Sequence, residues 1–269
     1  MRTLAHFAIA AGFATVVGAH PAHAFPGAKD TSGKCADCHQ LSPGEAEQLL
    51  KTLVDSVVEV RVSEVPGLWA VDVVKQGRKI PVYLDFSRRF LVTGDVIDLQ
   101  TMESVTRERM MDLNRVDASR IPLDDAIVIG DPKAPVKIVV FDDPECPFCK
   151  KIHPEMAAVV KQRPDVAFFI KMLPLKIHPD AERKAKAIIC AKSAQMLQDS
   201  LDGKPVPDPT CETDQVAKNE ALARELGVAS TPTLVLPDGR VAPGFKPADK
   251  ILGLLDQGRP EASPKKAGK

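Results

Sequence analysis

The sequence predicts a mixed α/β domain in its C-terminal half, led by a smaller α+β unit, and three observations carry that prediction. First, Val136–Asp142 (VKIVVFD) is a near-continuous apolar run, the pattern of a strand buried on both faces. It leads into Cys146-Pro147-Phe148-Cys149, where a helix is expected to start. Second, the later elements run strand, helix, strand, a helical insertion, a hairpin and a last helix, the alternation of a layered α/β sheet. Third, Val-, Tyr- and Phe-bearing runs of strand length, broken by a turn, precede residue 100.

The smaller unit, residues 25–100, opens on a Gly- and Pro-bearing stretch. Ser42-x-x-Glu45 forms a capping box for a helix from Glu45 to about Val54. Strands are expected at Leu68–Val74, Ile80–Phe86 and Arg89–Thr93, with a turn at Gln76-Gly77-Arg78. Such a unit has little core of its own, which points to dimerisation. Residues 101–122 read as a linker helix exposed on most sides, closed by Ile121-Pro122. Residues 123–260 form the α/β domain. Its expected elements are Val136–Asp142, a helix from Cys146 to Lys161, a strand at Val166–Met172 and one long helix from Pro179 to Gln198. A Pro-rich passage ends at Cys211, followed by a helix from Thr213 to Leu226, strands at Thr233–Leu236 and Val241–Pro243, and a helix from Pro247 to Leu255. Residues 261–269 read as a solvated tail.

The chain has 269 residues, no formal net charge, 44% hydrophobic and 27% charged residues, an ordinary globular composition that excludes disorder, collagen and coiled coil. Aromatics at 4% argue against a stacking platform for single-stranded nucleic acid, and no basic excess is present to track phosphates. Arg2 is the only charge before Lys29, Phe7–Ala19 is apolar or small, and Ala22-His23-Ala24 is a small-x-small site. This is the layout of a signal peptide, residues 1–24, cleaved after Ala24; the apolar run is short for an uncleaved anchor. An exported protein meets conditions in which disulfides persist.

A CxxC at a helix start brings two sulfurs within bonding reach. There the unpaired N–H groups and the helix dipole favour a thiolate on Cys146. Pro147 costs no hydrogen bond in the first turn, and Cys149, one turn on, is the expected buried resolving thiol. Half of a zinc site is the competing reading. Thr231-Pro232, between a helix and a strand, suits a cis peptide whose backbone can pair with an extended segment as an added strand; a simple trans turn is the alternative. His153 is expected to be solvated, and His178 to sit in a loop or cap.

These pieces together resemble the bacterial periplasmic disulfide isomerases of the DsbC/DsbG family, which have a thioredoxin fold. The resemblance rests on VVFDDPECPFCKK, Cys190-Ala191-Lys192, the Gly203-Lys204 to Cys211 segment, LGVASTPTLVLPDGRVAPGFKP, and the preceding hairpin unit and linker. It implies an α/β thioredoxin-like catalytic domain with a helical insertion, and a small N-terminal α+β dimerisation domain with a linker helix. It further implies a V-shaped homodimer in the periplasm, kept reduced by a membrane-bound thiol reductant and acting on misfolded exported proteins with wrong disulfides. By position, Cys146 resembles the attacking and Cys149 the resolving cysteine, Thr231 and Pro232 the substrate-binding loop, and Cys190 and Cys211 a structural disulfide. That last pair also brackets the Pro-rich loop and lacks redox spacing; two free thiols are the alternative. Many thioredoxin-like proteins carry a buried carboxylate six residues before the first cysteine. Here Val140 stands there, while Asp143 and Glu145 are expected to be exposed, so proton transfer at Cys149 needs another group.

Cys35-Ala36-Asp37-Cys38-His39 departs from the family pattern. It suits a local disulfide or a second redox pair servicing Cys146. CxxCH is also the signature of covalent haem with His39 as proximal ligand, and a shared zinc site is a further reading. No cofactor or metal is otherwise expected. The rival functions are a thioredoxin-fold electron-transfer protein, with a haem or second dithiol at Cys35/Cys38, and a holdase chaperone.

Overall fold

A computed structural model describes residues 39–257. The expected signal peptide, Cys35, Cys38 and the expected tail lie outside the described residues. Helix α1 (Pro43–Leu50) starts at Ser42, whose hydroxyl accepts from the Glu45 N–H while the Glu45 carboxylate accepts from the Ser42 N–H. Strands β1 (Ser56–Val62), β2 (Leu68–Lys75), β3 (Arg78–Asp85) and β4 (Leu91–Val92) form an antiparallel sheet in that order. The β2–β3 hairpin turns through Gln76 and Gly77, both at positive φ, and pairs Lys75 with Arg78. Ala46 and Leu50 of α1 close a small core with Trp69, Val71, Val73, Val82 and Leu84.

β1 has no counterpart among the expected elements. Its register slips between Val57 and Glu59, a bulge that breaks the alternation by which a half-buried strand is recognised. The 101–122 segment also differs from expectation. Helix α2 covers only Val105–Leu113, after a two-stranded ribbon of β5 (Ile97–Asp98) and β6 (Glu103–Ser104). It is docked rather than exposed on most sides. Thr106 is buried against the Tyr83 hydroxyl at 2.6 Å, and the Arg109 guanidinium donates to Asp72 on β2. Beyond α2, the Val116 N–H donates to the Gly239 carbonyl at 2.8 Å. A Cβ on Gly239, whose φ is +86°, would meet that Val116 backbone at 2.0 Å, so glycine is required there.

The second sheet has the order β11-β10-β8-β9-β7, from β7 (Ile127–Ile129), β8 (Val136–Asp142), β9 (Val166–Met172), β10 (Thr233–Val235) and β11 (Val241–Pro243). β8 and β9 run parallel and the other pairings are antiparallel. The connecting helices are α3 (Pro147–Gln162), α4 (Ala181–Ala191), α5 (Ala194–Leu201), α6 (Gln215–Glu225) and α7 (Ala248–Gln257). The two-residue period of β8 splits its side chains between layers. Ile138 and Val140 pack with Cys149, Ile152 and Met156 of α3, whereas Val139 and Phe141 pack with Ala223 of α6 and Ile121. The long helix expected over 179–198 is two helices. Lys192 turns left-handed at φ +45°, and the Ser193 hydroxyl caps α5 by accepting from the Met196 N–H.

Candidate active site

Cys146 is the N-cap residue of α3, with extended backbone, and Pro147 fills the first helical position. The β8 strand delivers this loop: the Cys146 N–H donates to the Asp143 carbonyl at 3.1 Å. Cys146 and Cys149 are both buried free thiols, and Cys146 Sγ lies 3.6 Å from the Thr231 carbonyl oxygen. The Thr231–Pro232 bond is cis, and the Pro232 carbonyl accepts from the Gly244 N–H. Four residues singled out from the sequence, Cys146, Cys149, Thr231 and Pro232, therefore belong to one site.

The two thiols are electrostatically unlike. Cys146 is lowered to about 6, first by the hydrogen bond from the Cys149 thiol, then by the N–H of Cys149, by Thr231 and by the Phe148 N–H, against the opposing effect of burial. Cys149 is pushed up, chiefly by burial and by donating to Cys146, and further by the Asp142 carboxylate. At neutral pH Cys146 is the thiolate and Cys149 keeps its proton. Cys190 and Cys211 are joined in a disulfide.

Three expectations about polar neighbours are overturned. His153 is buried, not solvated: as the residue one turn beyond Cys149 it faces the sheet, with Nε2 2.6 Å from Asp142 Oδ2. Asp143 is fully buried, not exposed, because its carboxylate organises the loop. Its Oδ1 accepts from the Glu145 N–H, and its Oδ2 accepts from the Leu175 N–H and pairs with His178 Nδ1. Glu145 is partly buried in an ion pair with Lys184. Asp142 is a site residue that the sequence reading omits altogether. A signal for it exists: it lies two residues after Val140, hence on the same face of β8.

Phe148, Ile177 and Phe245 are exposed around this centre. Ile177 adjoins His178, which holds the loop, and Phe245 adjoins Gly244, which holds Pro232. Among the described residues, no group of three or more His, Cys, Asp or Glu side chains could hold a metal ion, and no helix is long and apolar enough to cross a membrane. The disulfide, second redox pair, haem and zinc readings of Cys35, Cys38 and His39 depend on cysteines outside the described residues.

A central strand running into CxxC at a helix N-terminus, faced by a Thr-Pro loop, defines the thioredoxin-like class. The thioredoxin-like domain family matches residues 123–259. A probable thiol:disulfide interchange protein DsbC of Bordetella avium is 32% identical over 175 residues, covering 64% of this chain and 61% of that protein. The thiol:disulfide interchange protein DsbC of Escherichia coli K12 is 30% identical over 178 residues, covering 65% of this chain and 73% of that protein. A solved disulfide interchange protein from Neisseria gonorrhoeae aligns with 31% identity and a TM-score of 0.43, covering 52% of this chain and all of that one. The chain belongs to the thioredoxin-like family, among the DsbC-type thiol:disulfide interchange proteins. These relatives favour interchange over the electron-transfer and holdase readings.

Proposed function

We propose that this protein isomerises and reduces wrong disulfides in exported proteins, as a periplasmic homodimer kept reduced by a membrane-bound thiol donor. The observation that carries the reading is the asymmetry of the buried pair: Cys146 is lowered to about 6 while its neighbour Cys149 is raised. The Cys146 thiolate attacks one sulfur of a client disulfide, forming a mixed disulfide and releasing the other sulfur as a thiolate. If that client thiolate, or another, attacks the mixed disulfide, a rearranged bond leaves and Cys146 is regenerated. If Cys149 attacks instead, Cys146 and Cys149 become a disulfide and the client leaves with two thiols, reduced by two electrons. The exposed Phe148, Ile177 and Phe245 offer apolar contact to an unfolded client. The Thr231–Pro232 loop is the segment on which an extended client chain aligns.

Dimerisation is supported by the first sheet. β1 is its edge strand, and Val58, Val62, Phe90 and Val92 are exposed on it and on its far edge. Such an edge is normally covered or charged. The test is reactivation of a scrambled multi-disulfide protein. Recovery is expected from the wild type, none from Cys146→Ala, and a response of Cys35→Ser/Cys38→Ser only if the N-terminal pair takes part. Rapid oxidation or reduction of a dithiol peptide without recovery overturns isomerisation.

A further inference from the structure

Within one protomer, a cleft of about 550 Å³ lies between α2 and the second sheet, and thiol–disulfide exchange makes no use of it. That volume is in the range of pockets that hold a small organic molecule. α2 contributes Met110 and Met111 to one wall, and β11 and α7 contribute Val241 and Leu254 to the other. Two contacts tie the walls together. Arg78 Nη2 donates to the Gly227 carbonyl at 3.2 Å, and Lys250 of α7 pairs with Glu103 of β6. Ser230 and Thr233, on either side of Thr231–Pro232, also line the cleft, so it borders the cis-proline loop.

The charged groups lining the cleft are Arg78, Arg107, Lys246 and Lys250 against Glu103 and Glu108. Lys250 is matched by Glu103 and Arg107 by Asp95, while Arg78 is exposed to water. Burial, and then the nearby Glu103, push the Glu108 carboxyl up, which opposes its charge. Lys246 is the exception. Its side chain ends on two backbone carbonyls, those of Pro243 at 2.5 Å and Gly244 at 3.4 Å, and among the described residues it has no carboxylate in an ion pair. Burial and the Arg107 charge push the Lys246 ammonium down, as expected of a desolvated cation without a counter-ion. An ammonium has three N–H groups, so the two carbonyls leave one to donate. We propose that this cleft binds a small molecule with an apolar tail and a single carboxylate, the tail among Met110, Met111, Val241 and Leu254 and the carboxylate on Lys246. The adaptable methionine side chains suit tails of different shape. A cationic ligand is repelled by Lys246 and Arg107. The chain's own residues 258–269, which continue from Gln257 at the cleft, carry four basic residues against one acidic and so have the wrong charge.

The experiment is isothermal titration of the full chain with octanoate, octanol and octylammonium, which share one tail and differ in the head group. Octanoate should bind saturably, one per chain, with a dissociation constant below about 1 mM. Octanol should bind about tenfold more weakly or worse, and octylammonium not at all. Lys246→Met keeps the apolar stem and removes the ammonium; it should weaken octanoate about tenfold or more and leave octanol within about threefold. A second variant tests the place rather than the charge. Gly253 lies in α7 on the cleft, and a Cβ there meets no atom within 4 Å, so Gly253→Leu fills the cleft without strain and replaces a poor helix former. It should keep or raise the melting temperature and weaken octanoate about tenfold or more. Cys146→Ala should bind octanoate as the wild type does, because no thiol lines the cleft. Octanol or octylammonium binding as tightly as octanoate overturns the proposal, as does the absence of saturable octanoate binding. Octanoate binding unchanged in Gly253→Leu overturns it as well, even where Lys246→Met does not fold, because the ligand then lies elsewhere.

Discussion

Asp72 and Asp142 are both fully buried, each on a strand of its own sheet, but their surroundings differ. On β2, Asp72 is saturated: Arg61 Nη1 donates to both of its oxygens at 3.1 Å, and Arg109 Nε and Nη2 donate to Oδ2 at 3.0 and 2.5 Å. Its charge is matched by two guanidinium groups, so it ties α2 to the first sheet and does no chemistry. On β8, Asp142 has one partner and one spare oxygen beside a thiol. Asp72 is thus a structural tie, whereas Asp142 keeps an unmatched oxygen on the strand that leads into the CxxC, and its charge helps push the Cys149 thiol up.

That contrast can be broken by exchanging the phenotypes. The largest effect expected on stability comes from the covalent tie in the second domain. Cys190→Ser/Cys211→Ser opens a link across 21 residues and should cost about 3 kcal/mol in urea unfolding. Asp72→Ala should cost about 2 kcal/mol, below the usual figure for a broken buried pair because Arg61 and Arg109 are about one quarter exposed and can turn to water. It should leave the rate of Cys146 alkylation unchanged; a loss of that rate would show that the first sheet is coupled to the site. Asp142→Asn should show the reverse, with a small change in unfolding midpoint and faster alkylation of Cys149 in a Cys146→Ala background, since the Asp142 charge helps hold that thiol protonated.

The smallest effect is a shift in pH dependence. Iodoacetamide trapping of Cys146 in the wild type should follow a titration near pH 6. In Cys149→Ala it should move upward, since the Cys149 hydrogen bond is the foremost cause of the lowering. The sign for stability follows. A thiol whose folded value is lowered stabilises the reduced protein above the ordinary thiol value of about 8.5, and that contribution is lost as pH falls through about 6. An unchanged profile in Cys149→Ala would place the cause in the helix N-terminus instead.

Much of the second sheet is legible because its signals are local. Val166–Met172 can be delimited residue for residue, since an apolar run interrupted only by Lys171, with Asp165 before it and Pro174 shortly after, can be little else. The Ser42 capping box and the Gln76-Gly77 turn are legible for the same reason. β1 is not, because a bulge hides its period, nor is the break at Lys192-Ser193, because a lysine at positive φ has no sequence signature. At the site, spacing alone locates Cys146 and Cys149.

What the sequence determined by itself was therefore the chemistry available: a CxxC at the end of an apolar strand, a Thr-Pro before another, and two further cysteines around a Pro-rich loop. Tertiary structure decided which groups tune it. Whether Asp142, Asp143 and His153 are solvated or buried depends on α3 lying across β8 and on the loop after β9 folding back to Asp143. Burial and hydrogen-bond saturation are sums over residues distant in the chain, so no local pattern could have separated the carboxylate that holds the loop from the one left free beside Cys149.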